Sequence, residues 1–542
     1  MSPPRLSASP RSSTAPPRPG RPRPAAAFGR RRLLGLAGAL AVGVTLAGCR
    51  GGATAVGGRP VLSLGLSSEP ATLRAGADQG AAALLVVSLL HRGLVGYDGR
   101  GEIAPALASE WRSDEDTVFT FTLRPGLTFH DGSPLTSAEA AATLRHLADP
   151  KNSARVSSAL NHLAEVRTPD ATTVVVELTE PNAAFLAYLA DPSAGVVPAS
   201  ALSGAPNTVG AGPFRLVAED NGIGMTLERF DGYYDAPQVA LGGVQVAYYA
   251  DGTARTNALL SGDVDIIDFV PWENFRTISR RSGYTLAGQS GLVMYLAFNV
   301  TRKPFDDPRV RRAVALAVNR DSVVRTVFSG HARPVAGPPV PTLSEYHDTG
   351  TADVWAHDPA EARRLLAEAG HPGGFSATLL TTSQYAFHQD TAVSVQSDLE
   401  RVGIRVTLEN PDYATRIQLG NAGDYDLAVN GNGGIVNDPA FLSDFLVGPA
   451  NYKRSFGFTD ERTEELLVEG VRATAAADRK GIYTALQRRI AETVPFAMIS
   501  DREQAFAHTD RVRGFGNLPG FLTFDSGYTF AGTSLTDHER GR

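Results

Sequence analysis

Residues 291–338 read GLVMYLAFNVTRKPFDDPRVRRAVALAVNRDSVVRTVFSGHARPVAGP, and the rest of the chain is organised around this stretch. The apolar run at 292–300 has the length and the β-branched content of a buried strand. A helix should follow, because Asp307 can accept the free amides of a first helical turn and Pro308 suits the first helical position. Apolar residues on one face predict a second helix over 321–330, closed by a glycine. One strand therefore leads into two helices.

An upstream segment predicts a hairpin followed by a helix. Polar and apolar residues alternate over 118–123, which is typical of a strand. A Pro-Gly pair at 125–126 predicts a turn into a second strand that ends at His130. Thr136 and Glu139 have the Thr-x-x-Glu spacing of a capping box, so a helix should begin there.

This segment resembles the characteristic sequence of the family 5 extracellular solute-binding proteins, the peptide, nickel and oligosaccharide receptors of ABC importers. The residues in register with that family are Pro105, Ala106, Leu107, Ala108, Trp111, Leu123, Arg124, Gly126, Phe129, His130, Asp131 and Gly132. Further similarity lies at 207–216 (NTVGAGPFRL), 227–237 (LERFDGYYDAP), 254–267 (ARTNALLSGDVDII) and 291–338. The resemblance covers about residues 60–530.

The resemblance implies an α/β, two-lobed, periplasmic-binding-protein-like fold of type II with a ligand cleft between the lobes. Lobe I would comprise residues 60–85 with 208–290 and 510–535. An extra subdomain of lobe I would span 86–207, and lobe II would span 291–509. A length of 542 residues agrees with more than one core, because single cores stop growing at about 250 to 300 residues.

Strands and helices also alternate within the second half of the chain. We predict a strand at 375–381, a helix at 389–402 and a strand at 404–408. This order implies a parallel strand pair in an α/β lobe. A long helix is expected at 475–493, and the chain should then return to the first lobe.

The N-terminal region, residues 1–48, is typical of an export signal. The apolar run at 33–46 is too short to cross a bilayer core of about 30 Å, but it suits the hydrophobic region of a signal peptide. Three arginines at 30–32 loosely resemble a twin-arginine signal, so either export route is open. The competing interpretation, a short buried helix, fits poorly with the Pro, Ser and Arg content before it.

The single cysteine of the chain, Cys49, ends a Leu-Ala-Gly-Cys sequence that resembles a bacterial lipobox. We therefore expect Cys49 to be lipidated and to anchor the mature protein to the outer face of the cytoplasmic membrane. Residues 49–59 are rich in glycine and would form a flexible tether.

The charge of the chain argues against nucleic acid as a partner. Residues 1–48 hold eight of the 51 basic residues and none of the 57 acidic ones, so the remainder has a net formal charge of −14. Phosphate binding requires a basic stripe, and the sequence after Arg50 has none of any length.

Enzyme motifs are absent from the sequence. It contains no Gly-x-Ser-x-Gly elbow, no His-Glu-x-x-His, no Walker loop and no spaced cysteines. The pair His130 and Asp131 is interpreted as a hairpin closure, since nothing supplies the other half of a catalytic or metal site. We predict a binding protein without catalytic activity, metal or cofactor.

The expected ligand-binding residues come from three regions. Tyr295 and Asn299 lie on the strand of the opening stretch, Trp272 precedes it, and Tyr385 with His388 belong to the second lobe. Aromatic faces and a few polar groups are typical of small-solute clefts. Tyr295 and Trp272 could equally be core aromatics, whereas the amide of Asn299 at the end of an apolar strand needs a polar partner.

A loop at 430–438 completes the predicted cleft through Asn430, Asn432, Asn437 and Asp438. Peptide-binding relatives carry a tryptophan and then an aspartate that pairs with the peptide amine, shortly before an Asp-Pro. Counted back from Asp438-Pro439, the tryptophan position falls on Asn432 and the aspartate position on Ile435. An apolar side chain cannot balance a buried ammonium, although Asp438 could replace the aspartate after a register shift.

The predicted function is capture of a peptide or peptide-like solute by lobe closure and its delivery to an ABC permease and ATPase. A monomer is expected. The alternatives are a receptor for a sugar, an oligosaccharide or a metal chelate, and an exported hydrolase, chaperone or other non-transport lipoprotein on the same fold. The asparagines of the loop would suit a neutral, sugar-like solute.

Overall fold

The computed structural model describes residues 55–77, 80–202, 208–340, 344–432 and 434–536, apart from the side chains of Ser158 and Asn432. The predicted signal peptide and Cys49 lie outside the described residues. Across these ranges, no helix is both long enough and apolar enough to span a membrane.

The strands of the described ranges are β1 (Ala55–Val56), β2 (Arg59–Leu66), β3 (Val95–Tyr97), β4 (Ile103–Pro105), β5 (Ala108–Asp114), β6 (Val118–Leu123), β7 (Leu163–Asp170), β8 (Thr173–Leu178), β9 (Phe214–Asp220), β10 (Gly224–Arg229), β11 (Gly243–Tyr248), β12 (Ile266–Ile267), β13 (Tyr284–Phe298), β14 (Ala332–Pro334), β15 (Phe375–Leu380), β16 (Ile404–Glu409), β17 (Leu427–Asn432), β18 (Phe496–Thr509), β19 (Val512–Arg513) and β20 (Ser534–Leu535).

The α-helices of the same ranges are α1 (Ala81–Leu90), α2 (Ser137–Ala148), α3 (Ser157–Leu160), α4 (Phe185–Ala190), α5 (Gly252–Ser261), α6 (Trp272–Ser279), α7 (Pro308–Ala317), α8 (Arg320–Val327), α9 (Pro359–Glu368), α10 (Ala386–Glu400), α11 (Tyr413–Ala422), α12 (Leu442–Leu446), α13 (Glu461–Arg472) and α14 (Ala476–Thr493). A 3₁₀ segment, Gly520–Gly532, follows β19.

One mixed sheet runs through the molecule. Its strand order is β16, β15, β17, β13, β18, β12, β2, β11, β10, β9, with β1 added on β2 and β14 on β18. Strands β13 and β18 pair antiparallel from Tyr284 opposite Thr509 to Ala297 opposite Phe496. The two long strands therefore connect the half of the sheet around β2 with the half around β17.

A glycine, Gly291, lies in the middle of β13, where this strand passes from one half of the sheet to the other. The pairing register shifts between Ser290 and Leu292, and the amide of Gly291 donates a 2.6 Å hydrogen bond to Asp501 Oδ1. Gly291 has φ 141°, and a Cβ atom there would lie 2.5 Å from the Cα of Gly520. Only glycine fits this conformation and this close backbone approach.

The opening stretch folds as predicted, with shifted boundaries. Strand β13 begins at Tyr284, before the expected residue 292, because its polar first half pairs with β18 as the apolar second half does. The Oδ1 atom of Asp307 caps α7 by accepting from Arg309 N at 2.8 Å, and Pro308 begins the helix. Helix α8 begins at Arg320 because Asn319 caps it, accepting from Ser322 N at 3.0 Å.

The prediction of a hairpin over residues 118–130 is wrong, because the second strand that was expected after the Pro-Gly pair does not form. Strand β6 pairs with β5 on the preceding side, through a turn in which Glu115 and Asp116 have positive φ angles. The segment after the Pro-Gly pair forms a loop, in which Phe129 N donates to Ser133 O at 2.9 Å. Strands β5, β6, β8 and β7 form a separate antiparallel sheet, and the predicted capping box begins α2 beside it.

The strand, helix and strand predicted in the second half are confirmed as β15, α10 and β16. Strands β15 and β16 pair in parallel, from Phe375 opposite Ile404 to Leu380 opposite Glu409. Strand β17 lies between β15, with which it pairs in parallel, and β13, with which it pairs antiparallel. Its C-terminal end therefore lies beside β13, near the centre of the sheet. Helices α10 and α11 therefore begin at the same side as the end of β17.

Candidate functional site

A cavity of about 160 Å³ lies where β13, β17 and β18 meet the starts of α1, α10 and α11. Its described lining residues are Gly80, Ala81, Leu84, Arg155, Phe269, Tyr295, Tyr385, Phe387, His388, Tyr413, Arg416, Asn430, Gly431, Gly434, Tyr452, Lys453, Arg502 and Phe524. This set contains four cationic side chains, several aromatic rings and no carboxylate. Arg155 pairs with Asp191 at 3.1 Å, so Arg416 and Arg502 give the cavity its excess of positive charge.

Arg416 reaches the cavity from the first half of α11, a helix whose N-cap is Asp412. Its side chain is 4% exposed and donates through Nη2 to Val429 O at 3.0 Å and to Asn430 Oδ1. Among the described residues its Nε has no hydrogen-bond partner, and no carboxylate lies within ion-pair distance. Burial lowers the pKa of this guanidinium. Arg416 is thus a buried cation that has no counterion within the described part of the chain.

Arg502 enters from the opposite side, on β18. It is 4% exposed, and its Nη1 donates to Gln504 Oε1 at 3.0 Å. The guanidinium carbon lies 4.8 Å from the ring centroid of Phe387 and 5.8 Å from that of Trp272, at cation–π distance. Its Nε also lacks a partner among the described residues, and burial lowers its pKa to about 10.

The carboxylate next to Arg502 in sequence does not neutralise it. Asp501 Oδ2 accepts from Arg333 at 2.7 Å, and its Oδ1 accepts from the amide of Gly291. Successive residues of a strand point to opposite faces of the sheet. Arg502 therefore faces the cavity while Asp501 is engaged at the strand crossing.

His388 lies between the two arginines, on the first turn of α10. Burial lowers its pKa to about 3, with Arg416 and Arg502 as further causes, so the imidazole is neutral at physiological pH. Its Nδ1 has no partner among the described residues. A Cβ on Gly431 would lie 2.7 Å from His388 Nε2, so the ring occupies space left by this glycine.

The aromatic walls stand on both sides of the charged groups. Tyr385 and Tyr413 meet edge to face with centroids 5.9 Å apart, and Tyr295 donates its hydroxyl to Lys453 O. Burial raises the pKa of Tyr295, so the phenol stays protonated. On the opposite wall Phe269 and Phe524 stack at 5.7 Å.

The N-terminus of α1 adds to the positive potential of the cavity. Gly80 is its N-cap residue and supplies no side-chain hydrogen bond, and the first turn carries no acidic residue. Gly80, Ala81 and Leu84 all line the cavity. Free amides and the helix dipole at such an end attract negative charge.

Four of the predicted ligand-binding residues line this cavity, namely Tyr295, Tyr385, His388 and Asn430. Asn430 accepts from Arg416 and donates through Nδ2 to Tyr452 O at 3.2 Å. It therefore positions the guanidinium of Arg416 at the cavity wall.

Trp272 and Asn299 do not line the cavity. Trp272 donates to Glu503 O at 2.8 Å and packs edge to face on Phe387, so it supports the wall from behind. Asn299 is 1% exposed and donates to Gly423 O at 2.7 Å, while its Oδ1 accepts from Thr301. The amide does need polar partners, as the sequence indicated, and the end of α11 and the turn after β13 supply them.

The predicted loop residues beyond β17 are engaged elsewhere. Asn437 holds the 3₁₀ segment by donating to Pro519 O at 2.9 Å and accepting from Phe521 N at 2.9 Å. Asp438 caps a turn through Ala440 N and forms a 2.8 Å ion pair with Arg479. The carboxylate of Asp438 is therefore engaged by a cation of the protein itself. Asn432 lies at the end of β17, and its side chain is outside the described residues.

The two arginines that dominate the site, Arg416 and Arg502, were not predicted from the sequence. Arg502 lies in the run SDREQ, which looks like an exposed charged segment. Its position within a long strand that is otherwise buried on both sides is the signal that could have indicated a buried cation. Within the described ranges, no group of three or more His, Cys, Asp or Glu side chains could hold a metal ion.

Comparison with known proteins identifies the class of protein. The family model described as "Bacterial extracellular solute-binding proteins, family 5 Middle" matches residues 102–454. The chain therefore belongs to the family 5 extracellular solute-binding proteins of ABC import systems, and its fold is the two-lobed α/β periplasmic-binding-protein fold.

Three known proteins are similar to this chain. The periplasmic binding protein AgaA of A. tumefaciens R10, solved with agropinic acid, is 38% identical, with 88% of this chain and 99% of that chain covered and a TM-score of 0.83. The glutathione-binding protein GsiB of Pectobacterium atrosepticum is 27% identical over 470 residues, covering 83% of this chain and 90% of that protein. DppA of Helicobacter pylori, solved with the peptide STSA, is 21% identical over 88% and 98% of the two chains, with a TM-score of 0.77, and shows the shared fold.

Proposed function

We propose that this solute-binding protein captures a small carboxylate-bearing solute that has no free ammonium group. The proposal rests on Arg416 and Arg502. Each of these two arginines is 4% exposed and has no carboxylate partner among the described residues. An isolated buried cation is costly, and a bound anion removes that cost. A planar guanidinium also matches a carboxylate with two parallel hydrogen bonds.

The same cavity disfavours an ordinary peptide with a free N-terminus. No described lining residue carries a carboxylate, Ile435 stands at the amine-anchor position, and Asp438 is paired with Arg479. A neutral sugar would leave both guanidinium groups uncompensated. AgaA was solved with agropinic acid, a carboxylic acid, which supports this class of solute. GsiB is named for glutathione, which supports a carboxylate but also carries an ammonium group.

We propose that capture proceeds by hinged closure of two lobes. Lobe I comprises residues 60–85, 208–290 and 510–535, with 86–207 as its subdomain, and lobe II comprises 291–509. The cavity is lined from lobe I by Phe269 and Phe524 and from lobe II by both α11 and β18. Closure around the crossing of β13 and β18 would bury the solute and create the surface that the permease and its ATPase subunits recognise.

A panel of matched solutes tests the carboxylate class. We expect calorimetry on the purified full chain to show binding of agropinic acid or gluconate and no binding of glucose, which has hydroxyl groups but no carboxylate. Glutathione and trialanine, which carry an ammonium group, should bind more weakly than the amine-free carboxylates. Binding of glucose or trialanine at least as tight as that of gluconate and agropinic acid would contradict the proposal.

The membrane anchor is tested separately. We propose that the mature protein is a monomer held at the outer face of the cytoplasmic membrane through a lipidated Cys49. Cys49→Ser should move the protein from the membrane fraction to the soluble extracytoplasmic fraction, because the acyl chains supply the membrane affinity. Membrane retention of the serine variant, measured by fractionation and immunoblotting, would count against lipidation at this residue.

A further inference from the structure

A second cavity of about 700 Å³ adjoins the charged one. Arg155, Gly434 and Lys453 line both spaces, so the two cavities meet at these residues. We call this second space the side chamber. It lies between the loop before α3 and the segment that follows α12.

The volumes show that the charged cavity alone is too small for a complete solute. Its volume of about 160 Å³ lies below the roughly 300 to 1,000 Å³ that small-molecule pockets occupy. Together with the side chamber, the space falls within that range. A solute whose head contacts Arg416 and Arg502 therefore has room to extend past Arg155 and Lys453.

The walls of the side chamber have a different chemistry from the charged cavity. Ser153, Ser157, Asn161 and Asn421 supply hydroxyl and amide groups, and Asp444 supplies a carboxylate. Hydroxyl groups of a solute can donate to carboxylate and amide oxygens and accept from hydroxyl and amide donors. The exposed side chain of Val447 contributes an apolar surface against which carbon atoms of a chain can pack.

We infer that the solute is an elongated monocarboxylate whose uncharged, hydroxylated tail occupies the side chamber. The inference rests on the proposed carboxylate function, because the head position is taken from Arg416 and Arg502. The charged cavity would recognise the carboxylate, and the side chamber would select the length and the hydroxyl content of the tail.

The test uses sugar acids of increasing length, glycerate, gluconate and lactobionate, together with agropinic acid, titrated against the purified full chain. Wild-type protein should bind lactobionate or agropinic acid about tenfold or more tightly than glycerate, since each added hydrogen bond contributes. Ala450→Trp places an indole in the side chamber and should remove this gain, leaving glycerate affinity unchanged. Ser157→Trp fills the chamber from the other wall and should act in the same way.

Ala360→Trp, on the exposed surface of α9, is the control and should preserve the gain. Thermal melts establish that each variant is folded, and the second chamber variant replaces the first if one fails to fold. Three results would overturn the inference. They are equal affinity for all the sugar acids, a higher affinity for the longer acids that survives in the folded chamber variants, and no binding of any probe. If Arg502→Met leaves glycerate affinity unchanged while the tryptophan variants still weaken lactobionate, the carboxylate function fails and the chamber stands.

Discussion

Two buried arginines in this protein, Arg311 and Arg502, have nearly the same exposure and opposite surroundings. Arg311, on α7, is 5% exposed and donates to four backbone carbonyls, of Phe305, Asp306, Thr493 and Val494. Arg502 is 4% exposed, lies beside a cavity and donates to one acceptor among the described residues, Gln504 Oε1, at 3.0 Å. Burial lowers the pKa of both to about 10. A structural arginine is surrounded by acceptors, whereas a binding arginine keeps donors free for its ligand.

The largest effect should come from replacing Arg311, whose guanidinium group is surrounded by backbone carbonyls. Arg311→Met leaves four buried carbonyls without their donor, so we expect a loss on the order of 4 kcal/mol in the free energy of unfolding, with solute affinity unchanged in the folded fraction. Urea denaturation measures the loss. Arg312→Met, an exposed neighbour on α7, should change stability by no more than about 0.5 kcal/mol. Similar stabilities of the two variants would show that the carbonyls around Arg311 do not depend on it, and the contrast between Arg311 and Arg502 would be lost.

Arg502→Met should show the reverse result. Solute affinity should fall about 100-fold, because the anion loses a buried charge partner, while the free energy of unfolding stays equal or increases. Calorimetry with a carboxylate that binds the wild-type protein, and urea denaturation, measure the two quantities. The control is Arg302→Met, since Arg302 is 42% exposed and pairs with Asp424 at the surface. A destabilised Arg502→Met protein with normal affinity would make Arg502 a structural residue.

The third effect concerns the burial of His388 beside Arg416 and Arg502. Burial, Arg416 and Arg502 lower its pKa from 6.5 to about 3. The unfolded chain therefore takes up a proton before the folded protein does, and stability falls as pH decreases from about 6.5 toward 3. In His388→Gln the free energy of unfolding should decrease less steeply over this range than in the wild type. His357→Gln, at an exposed histidine, is the control, and identical slopes in all three proteins would argue against a buried, neutral His388.

Local signals in the sequence predicted the helices well, and the site only in part. Thr136 with Glu139 and Asp307 with Pro308 define helix starts because a capping residue acts within one turn. The strand partner of residues 118–123 was wrong because Glu115 and Asp116 adopt positive φ angles that their residue types do not announce.

The cavity required tertiary information. Tyr385 and His388 were found through their chemistry and position, whereas Arg416 and Arg502 are two of 51 basic residues, and local sequence does not show which cations are buried. Asn299 was expected at the cleft because its amide needed a partner. The partner was Gly423 O, in a turn more than 100 residues later in the sequence.

The position of β18 has a consequence for how the protein is made. This strand lies at the centre of the sheet, between β13 and β12, yet it comprises residues 496–509 of a 542-residue chain. Its pairing with β13 joins residues that are as far apart in the chain as Thr285 and His508. Contacts of such separation form slowly and cannot form until the late residues are synthesised. A nascent chain that stops before residue 496 has two half-sheets with nothing between them, so folding of the whole sheet can begin only when translation is nearly finished.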